Sequence, residues 1–153
     1  MSKPVVRVYT DYKSPYAFVA AGPTYALEER FDLVLEWRPY TLRIEEYLGA
    51  VETRTEHSWR RVRYSYMDAR RYANKQGLTL KGPKRVYNGY YANAGMLFAQ
   101  REGFFRAYND AVFERFLEAR TRPGRAGGDL GDRRRAWRRR GGVRGLCRRA
   151  GPC

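Results

Sequence analysis

The chain has few of the residues that build metal centres, disulfide frameworks and catalytic triads. Its 153 residues include 2 cysteines and 1 histidine. Cys147 and Cys153 lie near the end of the chain and no Cys-x-x-Cys pair occurs, so the sequence predicts no disulfide framework. One histidine leaves too few ligands for zinc and little room for a Ser-His-Asp triad. We therefore expect no metal site.

Long apolar runs are also missing. No run reaches the length of about 18 apolar residues that a membrane-spanning helix requires. Residues 1–9 lack the apolar stretch and the small-residue cleavage site of a signal peptide. Neither a Gly-x-Gly-x-x-Gly motif after a strand nor a Gly-Lys-Ser/Thr loop is present, which argues against the nucleotide-binding classes that use them. The sequence predicts a cytoplasmic protein without a membrane partner.

What the chain does have is a large positive charge that is unevenly distributed. Its 31 basic and 16 acidic residues give a formal net charge of +15, and residues 120–153 contribute 12 arginines against 2 aspartates. Those residues hold 8 of the 15 glycines, whereas all 13 tyrosines and all 7 phenylalanines precede them. This composition predicts a disordered tail. The tail is open to a second interpretation, as a module that binds nucleic acid or an acidic surface.

The first 39 residues predict a β-α-β unit. Residues 5–11 are β-branched and aromatic and are typical of a buried strand, and residues 33–39 predict a second strand that Pro39 ends. Between them, Ser14 is a good N-cap and Pro15 suits the first helical position, so we expect a helix that ends at about Arg30. A connection of this length favours a right-handed parallel crossover.

After residue 40 the apolar spacing becomes helical. It predicts helices over residues 44–48, 55–76 and 87–101, and a last one that follows Gly103 and ends at about Glu118. Gly77 is expected to end the longest helix, and residues 78–83 to form a loop. The predicted organisation is an N-terminal β-α-β part over residues 4–42, a helical part over residues 43–119 and the basic tail over residues 120–153.

Ser14 is the first candidate functional residue, because it lies at the turn between the first strand and the first helix. The positive end of the helix dipole and the free N–H groups there favour an anion, whether a phosphate, a carboxylate or a thiolate. The simpler interpretation is structural, since Ser-Pro is a common way to begin a helix. These residues alone leave both interpretations open.

Residues 8–18, Val-Tyr-Thr-Asp-Tyr-Lys-Ser-Pro-Tyr-Ala-Phe, resemble the first strand and active-site turn of the DsbA-like thioredoxin-fold family. The likeness is to its branch of 2-hydroxychromene-2-carboxylate isomerases and kappa-class glutathione transferases. Residues 35–40, 68–73 and 81–85 fit the same branch, and the resemblance covers about residues 4–119. It implies an α/β fold with a thioredoxin-like β-α-β start and a large helical insert.

The resemblance also implies an activity. The positions that carry Cys-x-x-Cys in disulfide-exchanging relatives are Ser14, Pro15, Tyr16 and Ala17 here, so no disulfide can be exchanged through this turn. The resemblance instead implies that glutathione binds at Ser14, Pro15 and Tyr16, with the Ser14 hydroxyl donating to its sulfur. The implied function is a glutathione-dependent isomerase, or a transferase or oxidoreductase, acting on an aromatic or electrophilic small molecule.

Further candidates come from the helical part. Lys81, Lys84 and Arg85 lie in a loop that approaches the active-site cleft in relatives, and they can hold a carboxylate of glutathione or substrate or form a solvated basic loop. Asn93 lies near an Asn that relatives carry on the next helix, and its other interpretation is a surface residue. The remaining basic residues of the longest helix are expected to be solvated, namely Arg60, Arg61, Arg63, Arg70 and Arg71.

The sequence departs from the family after about residue 119. The family returns to the sheet with two antiparallel strands and a helix, preceded by a cis-proline loop that contacts the glutathione backbone, and nothing here matches these elements. We expect an open sheet edge and weak or no glutathione binding, so the chain is weakly active or inactive. A non-catalytic thioredoxin-like remnant is the third interpretation. Relatives often form homodimers, and the missing strands count against one here.

The composition of the tail suggests an origin for this departure. Arg- and Gly-rich sequence without lysine is what a GC-rich reading frame gives when it is read out of phase, and residues 120–153 have that composition. We hypothesise that the tail is a frameshift product. The encoding DNA tests this: a single-base shift must restore a Gly-Val-Pro-bearing frame.

Overall fold

The computed structural model of the chain describes residues 2–83, 86, 88–117 and 120–121. Strand β1 (Val5–Thr10), helix α1 (Pro15–Arg30) and strand β2 (Val34–Pro39) form the first unit. The two strands pair in parallel, from Val5 opposite Val34 to Thr10 opposite Pro39. The predicted β-α-β order is confirmed, with β2 beginning one residue later than expected.

The rest of the described chain is mostly helical. Its helices are α2 (Ile44–Leu48), α3 (Glu56–Lys75), α4 (Tyr90–Arg101) and α5 (Phe105–Phe116), and a 3-10 turn spans Val51–Thr53. Thr55 caps α3, since its hydroxyl accepts a hydrogen bond from the Ser58 N–H at 3.2 Å. None of the helices in the described residues is both long and apolar enough to cross a membrane.

One prediction about the end of α3 is wrong. Residues 78–83 were expected to form a loop throughout, but Leu78–Thr79 is a short strand, β3, which pairs antiparallel with β4 (Arg120–Thr121). The boundary expected at residue 120 stays a prediction, because the structure describes only Arg120 and Thr121 of the tail. Local patterns miss such a pair because its partners are far apart in sequence. Three further predictions concern residues outside those described. They are the disorder of the later tail, its origin in a frameshift, and the absence of the family's closing strands and helix.

Helix α1 continues through Pro23, where one backbone hydrogen bond of the helix is missing and α3 supplies the replacement. A proline has no N–H to donate, so the carbonyl four residues earlier, that of Val19, loses its helical partner. The side chain of Gln76, at the end of α3, donates its amide N–H to that carbonyl at 2.8 Å. Ala69 and Ala73 are fully buried and keep α3 narrow on its core-facing side. The helical hydrogen bond that Pro23 cannot make is thus replaced by a hydrogen bond between two helices.

The core is built around aromatic rings from the first turn and from α5. Tyr12 is fully buried, and its ring lies edge-on to Phe113 at 4.9 Å and to Tyr108 at 6.4 Å between centroids. A Cβ at Gly95 of α4 would overlap the Tyr108 hydroxyl. Gly95 therefore lets α4 and α5 approach each other, and the core holds the segment that leads from β1 into α1.

The small sheet is covered on one face only. Leu35 and Trp37 of β2 are buried, whereas on the opposite face Val5 and Tyr9 of β1 are 58% and 66% exposed. On that exposed face the Arg7 guanidinium donates to the Glu36 carboxylate at 3.0 Å, which lowers the pKa of Glu36. Within the described residues, β1 pairs with β2 alone.

Candidate functional site

The turn between β1 and α1 is organised by a buried carboxylate. Asp11 is 3% exposed, and its two oxygens accept hydrogen bonds from the backbone N–H groups of Lys13 at 2.7 Å and Leu42 at 2.6 Å. The Ser14 N–H donates to the Asp11 carbonyl at 3.0 Å. Asp11 therefore fixes both the turn that carries Ser14 and the segment that follows β2.

Ser14 is the N-cap of α1, as predicted, and its hydroxyl keeps a free proton. Its Oγ accepts a hydrogen bond from the Ala17 N–H at 3.2 Å, and Pro15 occupies the first helical position. A hydroxyl has one donor and two acceptor sites, so this capping bond leaves the O–H of Ser14 able to donate. The residue can cap the helix and hold an anion at the same time.

Lys13 brings a positive charge next to Ser14. Its side chain is 10% exposed, and Nζ donates to the Leu42 carbonyl at 2.6 Å and lies 3.6 Å from the Asp11 carboxylate. An ammonium group has three protons, so one remains after these two interactions. Lys13 was not predicted as a site residue, and its position before the Ser-Pro pair was the available signal.

These residues open onto a cleft of about 610 Å³ between the first turn and the helices of the second half. Its walls are largely apolar, with contributions from Leu48, Val51, Trp59, Val62, Tyr66 and Phe116. Five cationic side chains also line it, from Lys13, Arg54, Arg63, Arg70 and Lys81, and no Asp or Glu is found among its described lining residues. The cleft suits an apolar ligand with negative charge.

The structure brings four of the predicted site residues together and separates another. Ser14, Pro15, Tyr16 and Lys81 all line the cleft. Asn93, on α4, is not among the described residues that line the cleft, and its amide donates to the Thr41 hydroxyl at 3.0 Å.

Lys84 and Arg85 lie outside the described residues, as does the basic tail. Their expected roles in binding a carboxylate or nucleic acid therefore stay predictions.

Tyr16 links the first turn of α1 to α3. Its hydroxyl donates to the Asp68 carboxylate at 3.0 Å. Burial and this hydrogen bond raise the pKa of Tyr16, so its phenol stays protonated at neutral pH. Tyr16 therefore forms one edge of the cleft as a neutral group that is held in place by a carboxylate.

Two arginines of α3 are exposed, as expected, and also lie at the cleft. They are Arg63 and Arg70. Arg70 donates to the carbonyls of Leu80 at 3.0 Å and Lys81 at 2.8 Å, so it holds the loop that forms the opposite rim. Apolar side chains of the first half of α3 also line the cleft, namely Trp59, Val62 and Tyr66, and Tyr66 packs against the core as well.

Comparisons with known proteins agree with this architecture. The family model described as DSBA-like thioredoxin domain matches residues 5–127. The chain belongs to this family. The first turn, with Ser14 at the start of α1, is therefore the beginning of a DSBA-like thioredoxin domain, and the fold class expected from the sequence is confirmed.

A solved structure supports the same fold. The structure titled 2-hydroxychromene-2-carboxylate isomerase, in selenomethionine form, is similar to this DSBA-like domain with a TM-score of 0.58 and 22% sequence identity. The match covers 86% of this chain and 70% of the other. The search of curated proteins gives no match. At this level of identity, the likeness supports the fold.

Proposed function

We propose that this DSBA-like domain acts as a glutathione-dependent isomerase, with Ser14 in the position of the redox cysteine of its disulfide-exchanging relatives. One observation carries the proposal: the free O–H of Ser14 lies at the positive end of α1 and opens onto the cleft. A hydroxyl donor at a helix N-terminus stabilises a thiolate relative to a thiol. The structural neighbour is itself an isomerase by title.

The residues around Ser14 fit the thiol end of glutathione. Lys13 and Ser14 supply two donors to an anion near the first turn of α1, and Lys81, on the opposite rim, supplies a charge for a carboxylate. We expect the thiol end of glutathione to make the strongest contacts with these residues.

Each residue has a defined task in this proposal. If glutathione binds here, Lys13 and Ser14 would hold its sulfur, and it would supply a nucleophilic thiolate for an electrophilic substrate. Ser14 donates a hydrogen bond to the sulfur and lowers the pKa of the thiol, and the charge of Lys13 acts in the same direction. Trp59 and Val62 offer apolar surface to the body of an aromatic substrate and reduce the access of water.

The Ser14 hydroxyl can be tested against a second serine of the same cleft. Ser65 also lines the cleft, but its hydroxyl donates to the Arg61 carbonyl of its own helix at 3.0 Å. Glutathione is titrated into the wild-type protein, Ser14→Ala and Ser65→Ala by NMR, at pH values below and above the pKa of the thiol. We expect binding that strengthens with pH, is lost in Ser14→Ala and is unchanged in Ser65→Ala.

A second ligand measures how much the thiolate contributes to binding. S-methylglutathione has no ionisable sulfur, so its binding should be weaker than that of glutathione and should not depend on pH. Equal binding of the two ligands, or equal losses in the two serine variants, would contradict a role for Ser14 in holding a thiolate. Ser14→Asp provides a control for folding, because Asp caps a helix as well as Ser does but repels an anion.

A further inference from the structure

One side of helix α3 faces neither the core nor the cleft. The buried residues of α3 are Ala69 and Ala73, and the residues that line the cleft include Arg63 and Arg70. Side chains three or four residues apart lie on the same side of a helix. The remaining side, which we call the outer face of α3, is formed by exposed residues, namely Arg61, Tyr64, Met67, Arg71, Tyr72 and Lys75.

The outer face is basic. Helix α3 holds six cationic and two acidic side chains, and all six cations are exposed. Both acidic groups already have partners. Glu56 pairs with Arg60 at 2.6 Å, and Asp68, which lies 3.9 Å from Arg71, accepts a hydrogen bond from the Tyr16 hydroxyl. The helix therefore keeps a net positive charge that attracts a partner with many negative groups.

Aromatic rings lie among these charges and are open to solvent. Tyr64 is 58% exposed and Tyr72 is 50% exposed, and the exposed Met67 lies between them along the helix. The Lys75 ammonium lies 5.8 Å from the centroid of the Tyr72 ring, so a cation and a flat surface are adjacent. The outer face can therefore stack on a flat ligand and attract negative charge at the same time.

This combination complements single-stranded RNA better than an acidic protein. The phosphates of a single strand can pair with the arginines, and its unstacked bases present flat faces to Tyr64 and Tyr72. An acidic peptide would pair with the arginines but would leave both rings without a partner. The two tyrosines lie about 12 Å apart along the helix axis, so they can contact different bases of one strand.

A second basic segment begins near the end of α3. Strand β3 starts at Leu78, three residues after Lys75 ends the helix, and it pairs with β4 (Arg120–Thr121). Residues 120–153 contain 12 arginines and 2 aspartates. The chain thus enters its most basic segment close to the Lys75 end of the outer face, as suits a long polyanion.

We propose that the outer face of α3 binds single-stranded RNA. Arg61 and Arg71 contact its phosphates, and Tyr64 and Tyr72 stack on its bases. This function is separate from the proposed glutathione chemistry, because no residue of the outer face is among the described residues that line the cleft. Either proposal can therefore fail alone.

The test measures stacking and charge separately. A labelled oligouridylate of about 15 nucleotides is titrated with the full chain at several salt concentrations, and binding is followed by fluorescence anisotropy. Tyr64→Leu should weaken binding about fivefold or more without changing the salt dependence, because it removes stacking and no charge. The double variant Arg61→Gln, Arg71→Gln should weaken binding and make the salt dependence less steep.

The matched controls replace residues of the same kinds outside α3. Tyr90→Leu removes an exposed tyrosine of α4, and the double variant Arg30→Gln, Arg101→Gln removes two exposed charges from α1 and α4. Each control should change the affinity by less than about twofold at physiological salt, where distant charges are screened. Equal losses in Tyr64→Leu and Tyr90→Leu would overturn the inference.

Residues 120–153 also attract polyanions by charge, so the deciding readout is the loss that Tyr64→Leu causes. This loss should occur with oligouridylate and not with poly-glutamate. No loss with oligouridylate, or an equal loss with poly-glutamate, would refute the inference, because the basic tail or an acidic peptide would then explain the binding. Ser14→Ala should bind oligouridylate as tightly as the wild-type protein. A loss as large as that of Tyr64→Leu would place the RNA in the cleft and contradict the outer face.

Discussion

Tyr12 and Ser14 are two residues apart in one turn, and they face opposite environments. On the core side, Tyr12 is fully buried against Phe113 and Tyr108. On the cleft side, Lys13 and Ser14 face a space lined by five cations and by apolar surface that is not covered. One short segment thus forms the centre of the core and the edge of the candidate site.

The residues that stabilise this domain therefore differ from the residues that it presents to a ligand. The core side gains free energy by removing apolar and aromatic surface from water. The cleft side leaves similar surface accessible and brings five cationic side chains together with no Asp or Glu among its described lining residues. An anion should therefore stabilise it. Substitutions on the core side should therefore change the free energy of unfolding, and substitutions on the cleft side should mainly change affinity.

The largest expected effect tests this division with two phenylalanines of the same helix. Phe113 is 1% exposed in the core, whereas Phe116, one turn later on α5, is half-buried and lines the cleft. Phe113→Ala should lower the free energy of unfolding by about 3–5 kcal/mol, because it leaves a cavity among packed rings. Phe116→Ala should lower it by less than half of that. Chemical denaturation measures both, and equal losses would refute the division.

A smaller effect on the free energy of unfolding should appear at alkaline pH. Burial raises the pKa of one tyrosine on the core side and of one on the cleft side. The pKa of Tyr108, in the core, is raised to about 12 by burial. The pKa of Tyr66, on the cleft, is also raised to about 12 by burial, which outweighs the opposing charge of Arg70. An unfolded tyrosine titrates near pH 10, so the folded state holds these protons more tightly. Their contribution to stability is complete below about pH 10 and is lost as pH rises towards 12.

Single Tyr-to-Phe variants distinguish the contributions of the two sides. Tyr108→Phe and Tyr66→Phe should each make the free energy of unfolding fall less steeply between about pH 10 and pH 12. Tyr64→Phe is the control, since Tyr64 is an exposed residue of α3. A slope that changes as much in Tyr64→Phe as in the other two variants would contradict the role of burial. Denaturation at a series of pH values measures these slopes.

The smallest expected effect concerns the hydroxyl of Tyr12. This hydroxyl is buried and has no hydrogen-bond partner in the part of the chain that the structure describes, and burial raises the pKa of the phenol well above its usual range. Tyr12→Phe keeps the ring contacts and removes an unsatisfied polar group, so stability should stay the same or rise by about 1 kcal/mol. A decrease in stability of similar size, measured by thermal or chemical denaturation, would show that the hydroxyl makes a hydrogen bond in the folded protein.

Much of the local structure could be predicted because its causes are local. Ser14 and Pro15 set the start of α1 through capping and a fixed φ, and the predicted bounds of α1 and α2 agree with the structure. Thr55 likewise marks the start of α3. Each of these signals acts within one helical turn, so the sequence displays it directly.

The parts that could not be predicted depend on contacts between distant residues. The pairing of Leu78 with Thr121 joins segments that share no local pattern. Arg63 and Arg70 belong to the same basic run as Arg60, and only the packing of α3 on α1 decides which of them face the cleft. The periodicity of α3 shows that it has an apolar stripe, but not that the stripe serves the core at one end and the cleft at the other.

The sequence by itself determined the β-α-β order, the helices and the serine at the start of α1, because strand pattern, capping and the helix dipole are properties of neighbouring residues. The tertiary structure alone decided what that serine faces. Asp11 bonds the turn to the segment after β2, and Arg70 bonds α3 to the opposite rim, so the cleft exists only when these distant segments are packed together. The charge that matters for the candidate site is therefore that of the five cations that folding gathers around the Ser14 turn.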